Sequence, residues 1–407
     1  MQANHLFSVR IPPRPVLIAL MALCLSSVLI TAYFLLRIAT LPAVDKDGVI
    51  VVQSVNSEGG HLPGTSLPGA SIPTDNSGVA VASSESKLGI FLLSSFSDGA
   101  RRLATYKPRV IKVMDPHISQ SLLDAVVKYR STVPDGTVVL RISGRTPAFT
   151  IQDDPERSAE RYYKERIEPA LNDLKAYKRF FTHIESPNEV ENTPGWESIE
   201  EVTWNGRFWE RLVELYRDAG YKTCVGSIPV GNPGGSMEEI EQKMRAFLPA
   251  LQAARDNGGA LCYHAYTSEY GTDVGIENWW SLRHRILHMA YTKADPTLEM
   301  LPVILSEAGV DRGGDPVRDG WQARGTESQF IQWLAWFDAR LREDPYVVGA
   351  TLFQIGDSYW SSFDVEPIVW WLERQLTGAE PSPKTGSGIP ENPVPGGDLQ
   401  TGERDAS

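Results

Sequence analysis

Two glutamates carry the chemistry that this sequence offers. Glu189 ends the run Glu185-Ser186-Pro187-Asn188-Glu189, and Glu307 stands in Leu305-Ser306-Glu307-Ala308-Gly309. Each follows a short apolar stretch that reads as a buried strand. The two stretches are the fourth and seventh of eight alternating strand–helix units, so closure into a barrel brings both carboxylates to one open rim. Opposed carboxylates across a cleft suit cleavage of a glycosidic bond. One gives a proton to the leaving oxygen, and the other attacks the sugar or activates water. A separation of about 5–5.5 Å goes with retention of configuration, and about 6.5–9.5 Å with inversion.

The elements that must position these groups follow from the hydrophobic pattern. Candidate strands are 88–93, 109–114, 137–142, 180–185, 222–228, 260–266, 302–307 and 347–353. Helical periodicity is clearest over 158–177, 204–219, 237–256, 276–293 and 327–342, and 368–376 would be the eighth helix. This alternation predicts an α/β fold, a (β/α)8 TIM barrel spanning 88–377. The competing architecture is a doubly wound open sheet, which usually has fewer strands and often a glycine-rich phosphate turn. No Gly-x-Gly-x-x-Gly follows the first strand and no Walker-type loop exists, so nothing points to a nucleotide or other cofactor. Alternation along the strands puts Phe181, His183 and Glu185 on one face of the fourth, Cys262, His264 and Tyr266 on one face of the sixth, and Val303, Leu305 and Glu307 on one face of the seventh.

With those elements in place, the chain resembles the clan A glycoside hydrolases over roughly 88–376. Glu185-Ser186-Pro187-Asn188-Glu189 resembles the clan's Glu-x-x-Asn-Glu-Pro segment, with Val190 where the clan carries Pro. Ser306-Glu307-Ala308-Gly309 is similar to its strand-seven Ser/Thr-Glu-Phe-Gly, and Tyr263-His264-Ala265-Tyr266 to the His/Tyr-bearing end of strand six. The resemblance implies a retaining enzyme with Glu189 as general acid/base and Glu307 as nucleophile. It implies that Asn188 donates to the sugar 2-hydroxyl and that Tyr266 or His264 orients Glu307. Arg141, near the end of strand three, would supply positive charge to the nucleophile, although in the clan the equivalent arginine comes from another strand. Lys112 and Asp115 on strand two are polar residues near the same rim whose roles the sequence leaves open.

Aromatic residues give a second sugar signal, because a pyranose face packs on an indole ring. Among eleven tryptophans, Trp196, Trp204, Trp279, Trp280, Trp321 and Trp360 fall in or just after the loops that follow strands. Trp360 is the leading stacking candidate, whereas Trp333 and Trp336 on one helix read as core. His284 and His288 have zinc-compatible i, i+4 spacing, but lack the intervening His-Glu-x-x-His glutamate and a third ligand, so no metal site is expected.

Net charge is −12 over 407 residues, which argues against a nucleic-acid face and leaves a neutral carbohydrate as the expected partner. Residues 1–14 read as a cytoplasmic N-terminus. Residues 15–36 carry no charge before Arg37 and form a run of the roughly 20 residues that suit a membrane-spanning helix. An uncleaved single-pass anchor is expected, with the barrel extracytoplasmic at the cell membrane; a cleaved signal is the alternative. Residues 37–87, with the repeat Leu62-Pro63-Gly64-Thr65-Ser66 and Leu67-Pro68-Gly69-Ala70-Ser71, read as a disordered linker, and 378–407 as a disordered tail. Of the three cysteines, Cys224 and Cys262 fall on adjacent strands. Buried thiols are expected there, with a disulfide as the alternative.

Overall fold

The computed structural model describes residues 85–144 and 148–378. The expected N-terminus 1–14, the membrane-spanning run 15–36, the linker up to residue 84 and the tail beyond Gly378 lie outside the described residues. Among the described residues no helix is long and apolar enough to cross a membrane.

Eight parallel strands close into a barrel in sequence order. They are β1 (Leu88–Leu92), β2 (Val110–Met114), β3 (Thr137–Arg141), β4 (His183–Ile184), β5 (Lys222–Ile228), β6 (Ala260–Thr267), β7 (Val303–Val310) and β8 (Val347–Leu352). Helices follow the strands and pack their apolar faces on the outside of the barrel. Long ones begin at capping boxes, such as Ser198 with Glu201 before the helix Ile199–Asp218 and Thr326 with Gln329 before Glu327–Arg342. Each box satisfies backbone N–H groups that the first turn leaves without partners.

Three expected helices are broken: 276–293 divides into Val274–Glu277 and His284–Ala294 with no proline between them, and proline explains the other two. The stretch 158–177 divides into Pro155–Tyr162, a π turn Tyr163–Ile167, and Glu168–Asp173, with Pro169 opening the last piece. The stretch 237–256 divides into Met237–Ala246 and Leu248–Asp256, with Pro249 in the first turn of the second. A proline ring clashes with the carbonyl one turn earlier and donates no hydrogen bond, so it starts a helix more readily than it continues one. The fourth strand is also shorter than expected, because Phe180 ends a helical turn, Lys175–Phe180, rather than entering the sheet.

The barrel interior is layered. Val110, Val139, Cys224, Ala260, Cys262 and Ile304 form a small apolar cluster separate from the helix-facing core. Cys224 and Cys262 are joined by a disulfide, which corrects the expectation of buried thiols. Neighbouring inward positions on β5 and β6 put their Cα atoms 5.2 Å apart, within bridging distance. Nearer the strand C-termini, Phe91, Leu93, Tyr266, Phe353 and Phe363 form a second cluster, with Trp360 packed against it.

Strand β7 departs from simple alternation. Val303 and Leu305 join the helix-facing core, whereas Ser306 and Glu307 both make contacts inside the barrel. The pairing with β6 shifts register between Tyr263 and His264, and the pairing with β8 shifts between Leu305 and Ala308. A bulge adds a residue to one strand and re-aims the side chains beyond it. The expected shared face of Val303, Leu305 and Glu307 therefore does not exist, yet Glu307 still points inward. The linker boundary also moves: Ser86 and Lys87 are buried. The Lys87 amide donates to Asp338 Oδ1 at 2.7 Å, and its ammonium donates to the Asp344 carbonyl at 2.6 Å.

Candidate active site

The C-terminal ends of the strands hold a cluster of charges that a hydrophobic barrel would otherwise exclude. Lys112 from β2 is fully buried. A lysine is almost never buried without a partner, and this one has two: its Nζ lies 2.7 Å from Glu185 Oε2 and 3.0 Å from Glu307 Oε1. It also stands 4.6 Å from the centre of the Phe91 ring. Arg141, at the end of β3, donates from Nη1 to the same Glu307 oxygen at 3.0 Å. Tyr266 donates its phenol hydrogen to Glu307 Oε2 at 2.8 Å.

His264 is the hub between the carboxylates. Its Nδ1 lies 2.6 Å from Glu189 Oε1 and 3.7 Å from Glu307 Oε2, and its Nε2 lies 3.1 Å from Glu185 Oε1. With a carboxylate at each ring nitrogen, the imidazolium, which has two donors, is the species that satisfies the site. Burial alone would push this imidazole down. The charge of Glu307 and the bonds to Glu185 and Glu189 outweigh burial and raise it to about 9. Burial would raise Glu307, but the charges of His264, Lys112 and Arg141 hold its carboxyl down at about 2. Burial likewise opposes ionisation of Glu185, and Lys112 followed by His264 hold it well below the usual carboxylate range.

Glu189 differs from its two companions. Its side chain is 34% exposed, against 8% for Glu307 and none for Glu185. Its backbone has φ 45, a left-handed conformation that costs a residue with a side chain roughly 1–3 kcal/mol. Ser227 and Thr193 brace it: Glu189 N donates to Ser227 Oγ at 3.4 Å, and Thr193 Oγ1 donates to the Glu189 carbonyl at 3.3 Å. Ser227 itself has φ 42 and follows Gly226 in an irregular stretch of β5. Its hydroxyl also donates to Asn188 Oδ1 at 3.4 Å, which fixes the side of Asn188 that does not donate.

Of the residues expected from sequence, Glu189, Glu307, His264, Tyr266 and Arg141 meet in one network of hydrogen bonds and ion pairs, and Asn188 joins it through Ser227. Trp360 is linked to it by ring contacts: Tyr266 to Phe353 at 6.4 Å, Phe353 to Trp360 at 5.2 Å, and Trp360 to Tyr359 at 5.7 Å. An aromatic wall thus runs from the Glu307 partner to the exposed Tyr359. Trp279 and Trp280 are exposed, whereas Trp196, Trp204 and Trp321 are buried and are core residues instead. Trp204 stacks on Phe208 at 5.0 Å and Trp321 on Phe330 at 4.6 Å.

Sequence reasoning left Lys112 without a role and passed over Ser227 and Ser306. The signal for Lys112 was a lysine at the centre of an otherwise apolar strand. The signal for Ser227 was the preceding glycine inside a strand, which marks a bulge. Asp115 accepts bonds from the amide and hydroxyl of Ser143, and its own amide donates to the Arg141 carbonyl at 2.9 Å. It therefore shapes the β2 and β3 exits beside the nucleophile candidate. Among the described residues no group of His, Cys, Asp and Glu is arranged to hold a metal. His284 Nε2 pairs with Asp344 at 2.8 Å and His288 Nε2 lies 2.9 Å from the Glu299 carbonyl.

No family model matches the sequence, and no curated protein matches it. Similar solved structures include a thermostable, highly halotolerant GH5 cellulase from an Icelandic hot spring isolate, at 12% identity and TM-score 0.41, covering 75% of this chain and 91% of that one. The catalytic domain of a mannanase from Streptomyces sp. SirexAA-E is 13% identical with TM-score 0.38, covering 71% and 86%. A D-psicose 3-epimerase, solved in the presence of D-fructose, is 14% identical with TM-score 0.36, covering 72% and 96%. At these identities and TM-scores the likeness carries no functional argument.

Proposed function

We propose that this protein is a retaining glycoside hydrolase that cleaves O-glycosidic bonds of a poly- or oligosaccharide. The observation that carries the reading is the shared imidazole: Glu189 and Glu307 approach the same nitrogen of His264, at 2.6 and 3.7 Å. Those two reaches limit the gap between the carboxylate oxygens to less than the ~6.5 Å at which inverting pairs begin. Glu307, ionised and gripped by Lys112, Arg141 and Tyr266, attacks the anomeric carbon. Glu189, the more exposed carboxyl, gives its proton to the leaving oxygen. The glycosyl ester removes the negative charge of Glu307, and Glu189 then takes a proton from the attacking water. Asn188 presents its amide to the 2-hydroxyl, and Trp360 offers a stacking face.

The compartment is part of the proposal. The apolar run 15–36 would anchor the chain, with the barrel on the extracytoplasmic side. The Cys224–Cys262 disulfide favours an oxidising compartment. The test is release of reducing ends by the purified full chain from a panel of glycans, with the anomer of the first product read by NMR. Retained configuration and loss of turnover in Glu307→Gln are expected; turnover that survives Glu307→Gln ends the assignment of the nucleophile. A second reading, a cell-surface barrel that binds glycan without cleaving it, is favoured by the imidazolium that occupies Glu189 Oε1 and by Val190 in place of the clan's proline. Affinity without release on the same panel would select it.

A further inference from the structure

We propose that Glu185 is a positioning residue that orients both catalytic carboxylates from below, by anchoring Lys112 to one and His264 to the other. The inference deepens the glycosidase reading and rests on it. Glu185 is fully buried and touches neither solvent nor a substrate-accessible surface. Its Oε2 lies 2.7 Å from Lys112 Nζ, and its Oε1 lies 3.1 Å from His264 Nε2 and accepts from the Ser306 hydroxyl at 2.7 Å. Each cation then spends its other contact on a different catalytic group: Lys112 on Glu307 at 3.0 Å, and His264 on Glu189 at 2.6 Å. One carboxylate thus fixes the near ends of two levers whose far ends hold the nucleophile and the acid/base.

Charge counting explains why the anchor must be an anion. Lys112, Arg141 and His264 are gathered around Glu307, with Arg141 also 3.5 Å from Glu191. Glu185 supplies a buried negative charge beside both Lys112 and His264, and its bond to His264 favours the imidazolium. The groups facing His264 are Glu185 and Glu189 from β4 and its exit, Glu307 from β7 and the Ser227 hydroxyl from β5. Lys112 and Arg141 stand behind the carboxylates, and Tyr266 lies on the same strand. Bulge geometry brings Ser306 inward beside Glu307, so the hydroxyl that steadies the anchor and the nucleophile are neighbours in sequence.

The test is Glu185→Gln in the full chain, which keeps the volume and removes the charge. We expect kcat to fall about 10²-fold with KM within about twofold, since the substrate contacts remain and only the orientation of reacting groups is lost. Glu185→Asp keeps the charge and should recover about tenfold of that loss. The titration of His264, followed by NMR of histidine-labelled protein and identified with His264→Gln, should move at least about one pH unit lower in Glu185→Gln. A drop in melting temperature with unchanged kcat and an unchanged His264 titration overturns the proposal. If Glu185→Gln fails to fold, Ser306→Ala removes one bond to the anchor and should give the same two shifts at smaller size; no shift overturns it equally. The titration needs no turnover. A wild-type protein that cleaves no glycan defeats the hydrolase reading, while the His264 midpoint still reports whether Glu185 sets the imidazole.

Discussion

Two histidines in this barrel sit in buried charge networks, and their proton affinities are shifted in opposite directions. His264, at the catalytic rim, faces Glu185, Glu189 and Glu307 and is raised to about 9. His284 opens the helix His284–Ala294 and meets Asp344, which it shares with Arg285. Burial pushes His284 below its ordinary value, and one carboxylate already engaged by an arginine does not reverse this. Both rings are fully buried, so burial is not what separates them. Three carboxylates face the His264 ring and one faces that of His284, and that difference sets the direction of each shift. The network around Asp344, Arg285 and Lys87 ties the last turn before β8 to the chain entering β1, with bonds to the Asp344 and Arg340 carbonyls as well as to side chains. The network around His264 runs from side chain to side chain and ends at the rim.

The largest effect should break the rim alone. Glu307→Gln is expected to lower kcat by at least about 10⁴-fold while the protein remains folded by circular dichroism. Asp344→Asn should do the reverse. Removing one partner of a buried pair destabilises by about 3 kcal/mol, read as a lower midpoint in denaturant, with kcat of the folded fraction unchanged. A loss of kcat in Asp344→Asn would mean that the two networks are coupled.

Their pH dependence should differ in sign. The folded His264 value of about 9 lies above an unfolded value near 6.5, so its contribution is complete below about 6.5 and is lost as pH rises through about 9. Stability should fall by on the order of 3 kcal/mol across that window, and His264→Gln should flatten it. The lowered value of His284 gives a contribution that is present above about 6.5 and lost as pH falls. Denaturant titrations at roughly pH 5, 7 and 9.5 would separate the two. The smallest effect is expected at the aromatic wall. Trp360→Ala should raise KM about 5–20-fold with little change in kcat, as loss of one stacking surface implies.

Much of this was legible in the sequence because the signals were local. Alternating apolar runs gave eight strands, and the barrel rule then put residues 189 and 307 at one rim. The errors occur where a distant contact or a backbone irregularity overrides the local pattern. Pro169 and Pro249 divided helices whose periodicity was continuous. The β7 bulge broke the alternation that would have put Leu305 beside Glu307. Lys112 was visible as an anomaly, but its two carboxylates, Glu185 and Glu307, lie 73 and 195 positions away, and no spacing rule links them. Tryptophans following strands looked alike in sequence; burial sorted Trp196 and Trp204 into the core and left Trp279 and Trp280 exposed.

The irregular pairing of β7 makes the nucleophile's location a matter of counting residues. Between the outward Leu305 and the inward Glu307 stands one serine that also looks inward. Deleting that serine would hand its place to the glutamate and pull the carboxyl out of reach of Arg141 and Tyr266, without altering a single charge. Such a frame-shifted strand would still close the barrel, and the result would be a folded protein with an empty attack position.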